Sequence, residues 1–559
     1  MRPMHQFLLS TALCATLLFA VSGQPVSADS DTDSKSDSYF KDAAVEANYK
    51  HVLLVSVDGM HSVDLTNWIK NNPTGSLARL ANHGVIYPNA YTTAPSDSYP
   101  GMLAQVTGGT SKTAGLFYDD SYDRKEYPSK AFYTSQGLAD PGCTGKPGTE
   151  VTNFEALDKS YNFSTALVAD FTGGGTPGQV YTQLDPDNMQ RHIVNGACLP
   201  VYPHQYVRTN TIFEVIKGAG LRTAWSDKHP AYEDLSGPSG KGLDELYAPE
   251  INSQDTLDPG AKPGDDYTTS YTGVRTYDSM KVKAVLNWID GLNSTGAVKQ
   301  STPAIFGMNF QAVSVGQKLA KAGDADSDKT LVGGYLDGNG TPGNALTEEF
   351  QFVDNALGQF QSELVAQHLD KSTLIVLSAK HGQSPINKND RIAISDAAYG
   401  NTPGFGTHGF EICDDAALVW LAPELQQAVN PSTGNSYYSD AEKYILSQSS
   451  NLHITQLLDR AALTPMYGDP FKNTRVPDFL AVTNHGVICT GGSKLAEHGG
   501  LSNDDRNVAL LLSSPSMKPE TVEKLTYTTQ IAPTILRALH LNPLQLKSVV
   551  KEGTPILTR

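Results

Sequence analysis

The strongest constraint in this chain is a set of short, unbroken apolar runs, each closed by a polar turn. His51-Val-Leu-Leu-Val-Ser-Val57 stops at Asp58-Gly59, and Pro303–Phe310, Thr373–Leu377, Ala416–Leu421 and Val508–Leu512 are of the same kind. A strand with apolar residues at successive positions is covered on both faces, as in parallel sheets sandwiched by helices. Helical patterns lie between the runs, through Leu65, Trp68 and Ile69, then Leu77–Leu80, Phe350–Leu369 and Asp440–Gln448. In the last, Thr528–Leu539, Thr528 is placed to cap, and Ile531, Ile535 and Leu539 fall four residues apart. The alternation predicts an α/β fold with a mostly parallel sheet and helices on both faces. Residues 119–205 and 226–275, rich in Gly, Pro, Tyr and Asp, are expected to be insertions that cap it.

Composition narrows the partners. The chain has 559 residues, with 42 Lys plus Arg against 59 Asp plus Glu, a net charge of −17. That balance argues against a nucleic-acid backbone as the main partner, which needs a basic stripe. Small phosphorylated substrates remain open, because a local metal pair reverses the sign of the field, and sulfated ones remain open because leaving-group contacts come from the insertions.

Residues 1–28 read as a secretory signal peptide. Arg2 precedes the apolar, Ser- and Thr-containing run Phe7–Val21, and Val26-Ser27-Ala28 offers small residues for cleavage. A signal anchor is the alternative; the run is short for a membrane span. Residues 29–48 open with DSDTDSKSDS and are expected to be a disordered spacer, with the folded α/β domain covering 49–559. The expected location is therefore extracellular, with no membrane association after signal removal. Cys14 leaves with the signal, and Cys143, Cys198, Cys413 and Cys489 form an even set suited to an oxidising compartment. Cys143 and Cys198 bracket one Gly/Pro-rich stretch and are the favoured pair, leaving Cys413 with Cys489. Asn162, Asn293 and Asn339 lie in glycosylation sequons.

Open parallel sheets carry their chemistry at the carboxyl ends of strands. Asp58 follows the first strand, Lys380-His381-Gly382 follows Thr373–Leu377, and Glu497-His498-Gly499 precedes Val508–Leu512. Pro95-Ser-Asp-Ser98-Tyr-Pro-Gly101 is a turn entering a helix, which puts the Ser98 hydroxyl near the positive end of the helix dipole. Asp227-Lys-His229-Pro follows the strand-like Leu221–Trp225 and is a further candidate to line the pocket.

Together, Val55-Ser-Val-Asp58-Gly-Met, Pro95-Ser-Asp-Ser98-Tyr-Pro-Gly, Val106-Thr-Gly108, Ser378-Ala-Lys-His381-Gly and Glu497-His498-Gly resemble the type I phosphodiesterase/nucleotide pyrophosphatase family of the alkaline phosphatase superfamily. Gln530-Ile-Ala-Pro-Thr-Ile-Leu536 looks like the group's final helix. The resemblance implies an alkaline-phosphatase-like sheet, a divalent metal pair, normally zinc, and a covalent mechanism. It makes Ser98 the nucleophile, Asp58, His381 and His498 metal ligands, Tyr99 an aromatic against the leaving group's base, and Asp119 a contact to a phosphoryl oxygen.

The chain departs from that pattern at specific places. Lys380 replaces an aspartate ligand, and Gln311 and Val315 stand where relatives carry Asp and His. Protonated lysine has no lone pair for a metal, and valine has no donor atom. Three outcomes stay open. Asp414-Asp415 or Glu497 rebuild a metal site, Lys380 supplies the missing charge in catalysis or pairs with Asp58, or catalysis is lost. The expected function is a secreted hydrolase of phosphodiester or phosphomonoester bonds, nucleotides among them. The alternative is an extracellular ligand- or protein-binding module.

Overall fold

The computed structural model describes residues 43–45, 48–152 and 184–559. The expected signal peptide, nearly all of the spacer, Asn162 and the middle of the first insertion lie outside them.

An eight-stranded sheet organises the molecule. Across it run Glu520–Thr521, Gly84–Ile86, Leu510–Ser513, Thr373–Ser378, His51–Val57, Ile305–Phe310, Ala224–Ser226 and Glu245–Tyr247. His51–Val57 pairs in parallel with a neighbour on each side, Ile305–Phe310 and Thr373–Ser378. Its position explains its composition. Leu53, Val55 and Val57 pack into a core with Leu65, Trp68, Val285, Trp288, Phe350 and Phe360 from the helices Ser62–Asn71, Tyr271–Ile289 and Asn344–Ala366. Val52 and Leu54, which point to the opposite face, are equally buried.

The sheet is mixed, mostly parallel. Leu510–Ser513 runs antiparallel to both Thr373–Ser378 and Gly84–Ile86. That reversal brings the start of this strand, and the loop before it, to the edge where the parallel strands end.

Two expectations about individual segments are corrected. Ala416–Trp420 is a buried strand, but it belongs to a separate four-stranded antiparallel sheet with Phe410–Cys413, Ile454–Leu458 and Phe479–Thr483. Helical cover on both its faces gives the same apolar run as a central parallel strand. The 226–275 stretch is not only a cap, because Glu245–Tyr247 within it forms the edge of the main sheet. Three residues are too few to show periodicity. The helix expected to close the chain begins at Ile531, after a short 3-10 turn over Thr528–Gln530, and a further short helix, Lys547–Glu552, follows it.

Cys143 is bonded to Cys198 and Cys413 to Cys489. Asn339 is exposed, whereas Asn293 is buried with its side-chain oxygen accepting from the backbone of Ala297 and Val298, which does not suit a glycan carrier. Among the described residues no helix is long and apolar enough to cross a membrane.

Candidate active site

Four adjacent parallel strands end at one edge of the sheet, and each hands over a polar residue there. Asp58 follows His51–Val57, Gln311 follows Ile305–Phe310, Asp227 and Lys228 follow Ala224–Ser226, and Lys380-His381 come just after Thr373–Ser378. The registers Ser56 with Asn309, Ser56 with Ser378, and Met308 with Ser226 keep those ends level. His498 arrives from the loop ahead of the antiparallel strand.

Ser98 is the first residue of the helix Ser98–Thr107. Asp97 is its N-cap, accepting from the Tyr99 backbone N–H at 3.2 Å. The Ser98 hydroxyl has two close partners. Lys228 Nζ donates to it at 2.9 Å, and His381 Nε2 lies 3.1 Å away. His381 Nδ1 is 2.9 Å from the carbonyl of Gly382, which only accepts, so Nδ1 carries the ring's proton. In that tautomer Nε2 is free to accept from the Ser98 O–H.

Asp58 sits beneath this pair with no exposed surface. Asn309 Nδ2 donates to one of its oxygens at 2.7 Å and Gln311 Nε2 to the other at 2.6 Å. His381 Nε2, Lys228 Nζ and Lys380 Nζ stand 3.7, 3.8 and 4.0 Å from it. Burial alone would raise its pKa, but the cations beside it, Lys380 foremost and then Lys228, overcome that and hold the carboxyl well below the usual carboxylate range. Lys380 is fully buried, and its closest contact is Asp227 Oδ1 at 2.7 Å. Its ammonium also sits 4.0 Å above the Tyr232 ring.

The sequence-derived candidates therefore converge, with two changes of role. The lysine that reaches Ser98 is Lys228, not Lys380. The stretch Asp227-Lys-His229-Pro had marked this loop as pocket-lining, but nothing in the sequence singled out Lys228 from its neighbours. Tyr99 is buried with its ring stacked on Tyr232 at 4.3 Å, so in this structure it packs beneath the site and presents no open face to a base.

A cavity of about 380 Å³ has Lys228, Gln311, Val315, His498, Asp414 and Asp119 among its lining residues. The His498 ring lies 4.3 Å from that of His381. Burial first, then Lys318, His381 and Lys228, push the His498 pKa well down, leaving the imidazole neutral. Asp414, Glu497 and His498 could together offer ligand atoms within 4.8 Å of one another. Glu497, however, already accepts from Lys318 at 2.7 Å and Lys494 at 2.5 Å. Asp414 accepts from the Tyr118 hydroxyl, and Asp415 turns to another cavity shared with Asp505.

Residues 52–505 match the family model described as type I phosphodiesterase / nucleotide pyrophosphatase. The chain belongs to that family. Among solved structures, this family member is similar in fold to murine ectonucleotide pyrophosphatase / phosphodiesterase 5 (13% identity, TM-score 0.52, 88% of this chain and 96% of that one). It is also similar to the alkaline phosphatase PafA (13% identity, TM-score 0.55, 89% and 96%). No curated protein matches it.

The family is typically metal-dependent, but the residues around Ser98 in this member do not fit a metal pair. A metal needs lone pairs converging at about 2 Å. Here both Asp58 oxygens accept from amide N–H groups, and two ammonium groups stand next to them. Gln311 turns its amide donor toward Asp58, and Val315 contributes only a wall. Asp414, Glu497 and His498 are a partial set in which the glutamate is paired with two lysines.

Proposed function

We propose that this chain is a secreted hydrolase of phosphodiester or phosphomonoester bonds, with Ser98 as nucleophile and His381 as general base. The observation that carries the reading is the Ser98 hydroxyl held between the His381 Nε2 acceptor and the Lys228 ammonium. Family membership supports the reaction class.

The chemistry follows from that geometry. His381 Nε2 takes the hydroxyl proton as Ser98 Oγ bonds to phosphorus, and the bond from phosphorus to the leaving oxygen breaks. The leaving oxygen departs toward the cavity, and the protonated His381 returns its proton to that oxygen by way of water, becoming neutral again. In the second half, His381 accepts a proton from an attacking water whose oxygen bonds to phosphorus, the Oγ–phosphorus bond breaks, and His381 passes that proton to Ser98 Oγ. The helix N-terminus and Lys228 face the negative charge that develops on the phosphoryl oxygens. Asp119 lines the same cavity.

Bis(p-nitrophenyl) phosphate turnover by the full chain and by Ser98→Ala tests this, with Tm measured on both. Turnover lost at nearly constant Tm is the expected result, and turnover retained in Ser98→Ala overturns the assignment. One observation favours a second reading, an extracellular binding module: Ser98 has no exposed surface, and Lys228 lies across it. Phosphate-ester binding without turnover in the wild-type chain is the outcome that selects it.

A further inference from the structure

We infer that a pair of lysines replaces the metal ions of this site: Lys228 is the cation that acts on the nucleophile, and Lys380 is the positioning residue that aims it. This rests on the phosphoester-hydrolase reading above.

Three observations on this chain's own residues converge. The first is the donor set: Asn309, Gln311, Lys228 and Lys380 turn N–H groups toward the Asp58 carboxylate, and the Ser98 hydroxyl contacts Lys228 and His381. The second is a continuous linkage between the two lysines. Lys380 Nζ donates to Asp227 Oδ1 at 2.7 Å, and the same oxygen accepts the backbone N–H of Lys228 at 2.8 Å. Trp225 Nε1 holds the other Asp227 oxygen at 2.9 Å. Asp227 is thereby clamped by its own strand and by the Lys380 loop, and it fixes the backbone from which Lys228 extends to Ser98. Lys380 also lies over Tyr232, whose ring stacks on Tyr99, the residue after the nucleophile. One buried ammonium thus braces both the lysine and the helix that meet at the hydroxyl.

The third observation is that the hydroxyl has both a donor and an acceptor side chain against it. It receives a proton donor from Lys228 and faces an acceptor in His381, so the nucleophile is oriented and electrostatically assisted by side chains alone. As the proton passes to His381 and Oγ bonds to phosphorus, the Lys228 ammonium stays protonated and stabilises charge on oxygen. A compact ammonium with three donors suits that task. Lys228 touches the reacting atom and Lys380 does not, so the two substitutions have different signatures.

The experiment uses the full chain dialysed against EDTA. It measures bis(p-nitrophenyl) phosphate turnover, inorganic phosphate binding by calorimetry, and zinc binding by calorimetry. The expected result is turnover and phosphate binding undiminished by the chelator, with both lost on Lys228→Met, turnover by at least about 10²-fold. Alkylating the thiol introduced by Lys228→Cys with 2-bromoethylamine, which rebuilds an ammonium of similar length, restores activity. The four cysteines among the described residues are paired in disulfides and Cys14→Ser is introduced alongside, so the new thiol is the one that reacts. Lys380→Met lowers kcat with little change in KM, and Lys380→Arg recovers part of it.

Turnover that needs added zinc overturns the inference and leaves the hydrolase reading standing. Phosphate binding that survives EDTA and disappears in Lys228→Met, with no turnover with or without zinc, supports the lysine site and overturns hydrolysis. Neither binding nor turnover under any condition overturns both.

Discussion

Where the helix Ser98–Thr107 meets the loop after strand Thr373–Ser378, Gly101 lies directly against the carbonyl of Lys380. A Cβ at Gly101 would stand 2.1 Å from that oxygen and 2.8 Å from its carbon. This backbone-to-backbone contact lets Ser98, one helical turn earlier, reach His381, one residue later. Gly101→Ala must push the helix away from the loop. Overpacking of this kind costs about 1–3 kcal/mol, and a displacement near 1 Å lowers turnover by about 10²-fold. Steady-state kinetics alongside urea unfolding checks both, and unchanged turnover would show that the contact does not set the Ser98–His381 distance.

The proposed base, His381, has its own signature. His381→Asn keeps a polar side chain but removes the ring acceptor at Nε2, so kcat should fall by about 10²–10⁴-fold with KM little affected. A loss confined to KM would make His381 a binding residue instead.

Lys380 and Asp227 are both fully buried. Removing one partner leaves an uncompensated charge in the interior, so Lys380→Met should destabilise by about 3–5 kcal/mol. Adding Asp227→Asn to that variant removes the stranded charge and should recover part of the loss. Urea midpoints of the single and double variants decide, and a double variant no more stable than the single one contradicts the pairing.

Glu411, in the second sheet, gives a pH effect remote from the chemistry. Burial, then Asp396, push its pKa from an ordinary 4.5 up to about 8. The folded state therefore holds a proton that the unfolded state has released. This contribution to stability is fully present below the ordinary value and is lost as pH rises through 8. Glu411→Gln should flatten the fall in unfolding free energy between about pH 5 and about pH 9. An unaltered slope would show that Glu411 does not carry it.

What the sequence revealed followed from burial and punctuation. The run His51–Val57 and its stop at Asp58 could be read because a strand covered on both faces leaves no room for polar residues, and the first polar residue beyond it lies at the sheet edge. Ser98, His381 and His498 were legible for the same reason, each beside a glycine- or proline-marked turn next to a strand or helix end. Lys228 was not distinguished from Asp227 and His229, because which of three consecutive loop side chains turns toward Ser98 depends on Asp227 being clamped by Lys380, a contact across 153 positions in the chain. The sheet membership of Ala416–Trp420 was hidden too, since apolar content reports that a strand is covered but not by what.

The strand order sets a timetable. His51–Val57 emerges early in synthesis, yet its two partners are Ile305–Phe310 and Thr373–Ser378, and the sheet beyond them is completed by Leu510–Ser513. Such distant pairings are slow to form. A growing chain therefore exposes the Ser98 segment long before the ribosome has made Lys380 or His381. Until Lys228 and then His381 have been translated, the Ser98 hydroxyl lacks the two side chains that contact it in the finished fold.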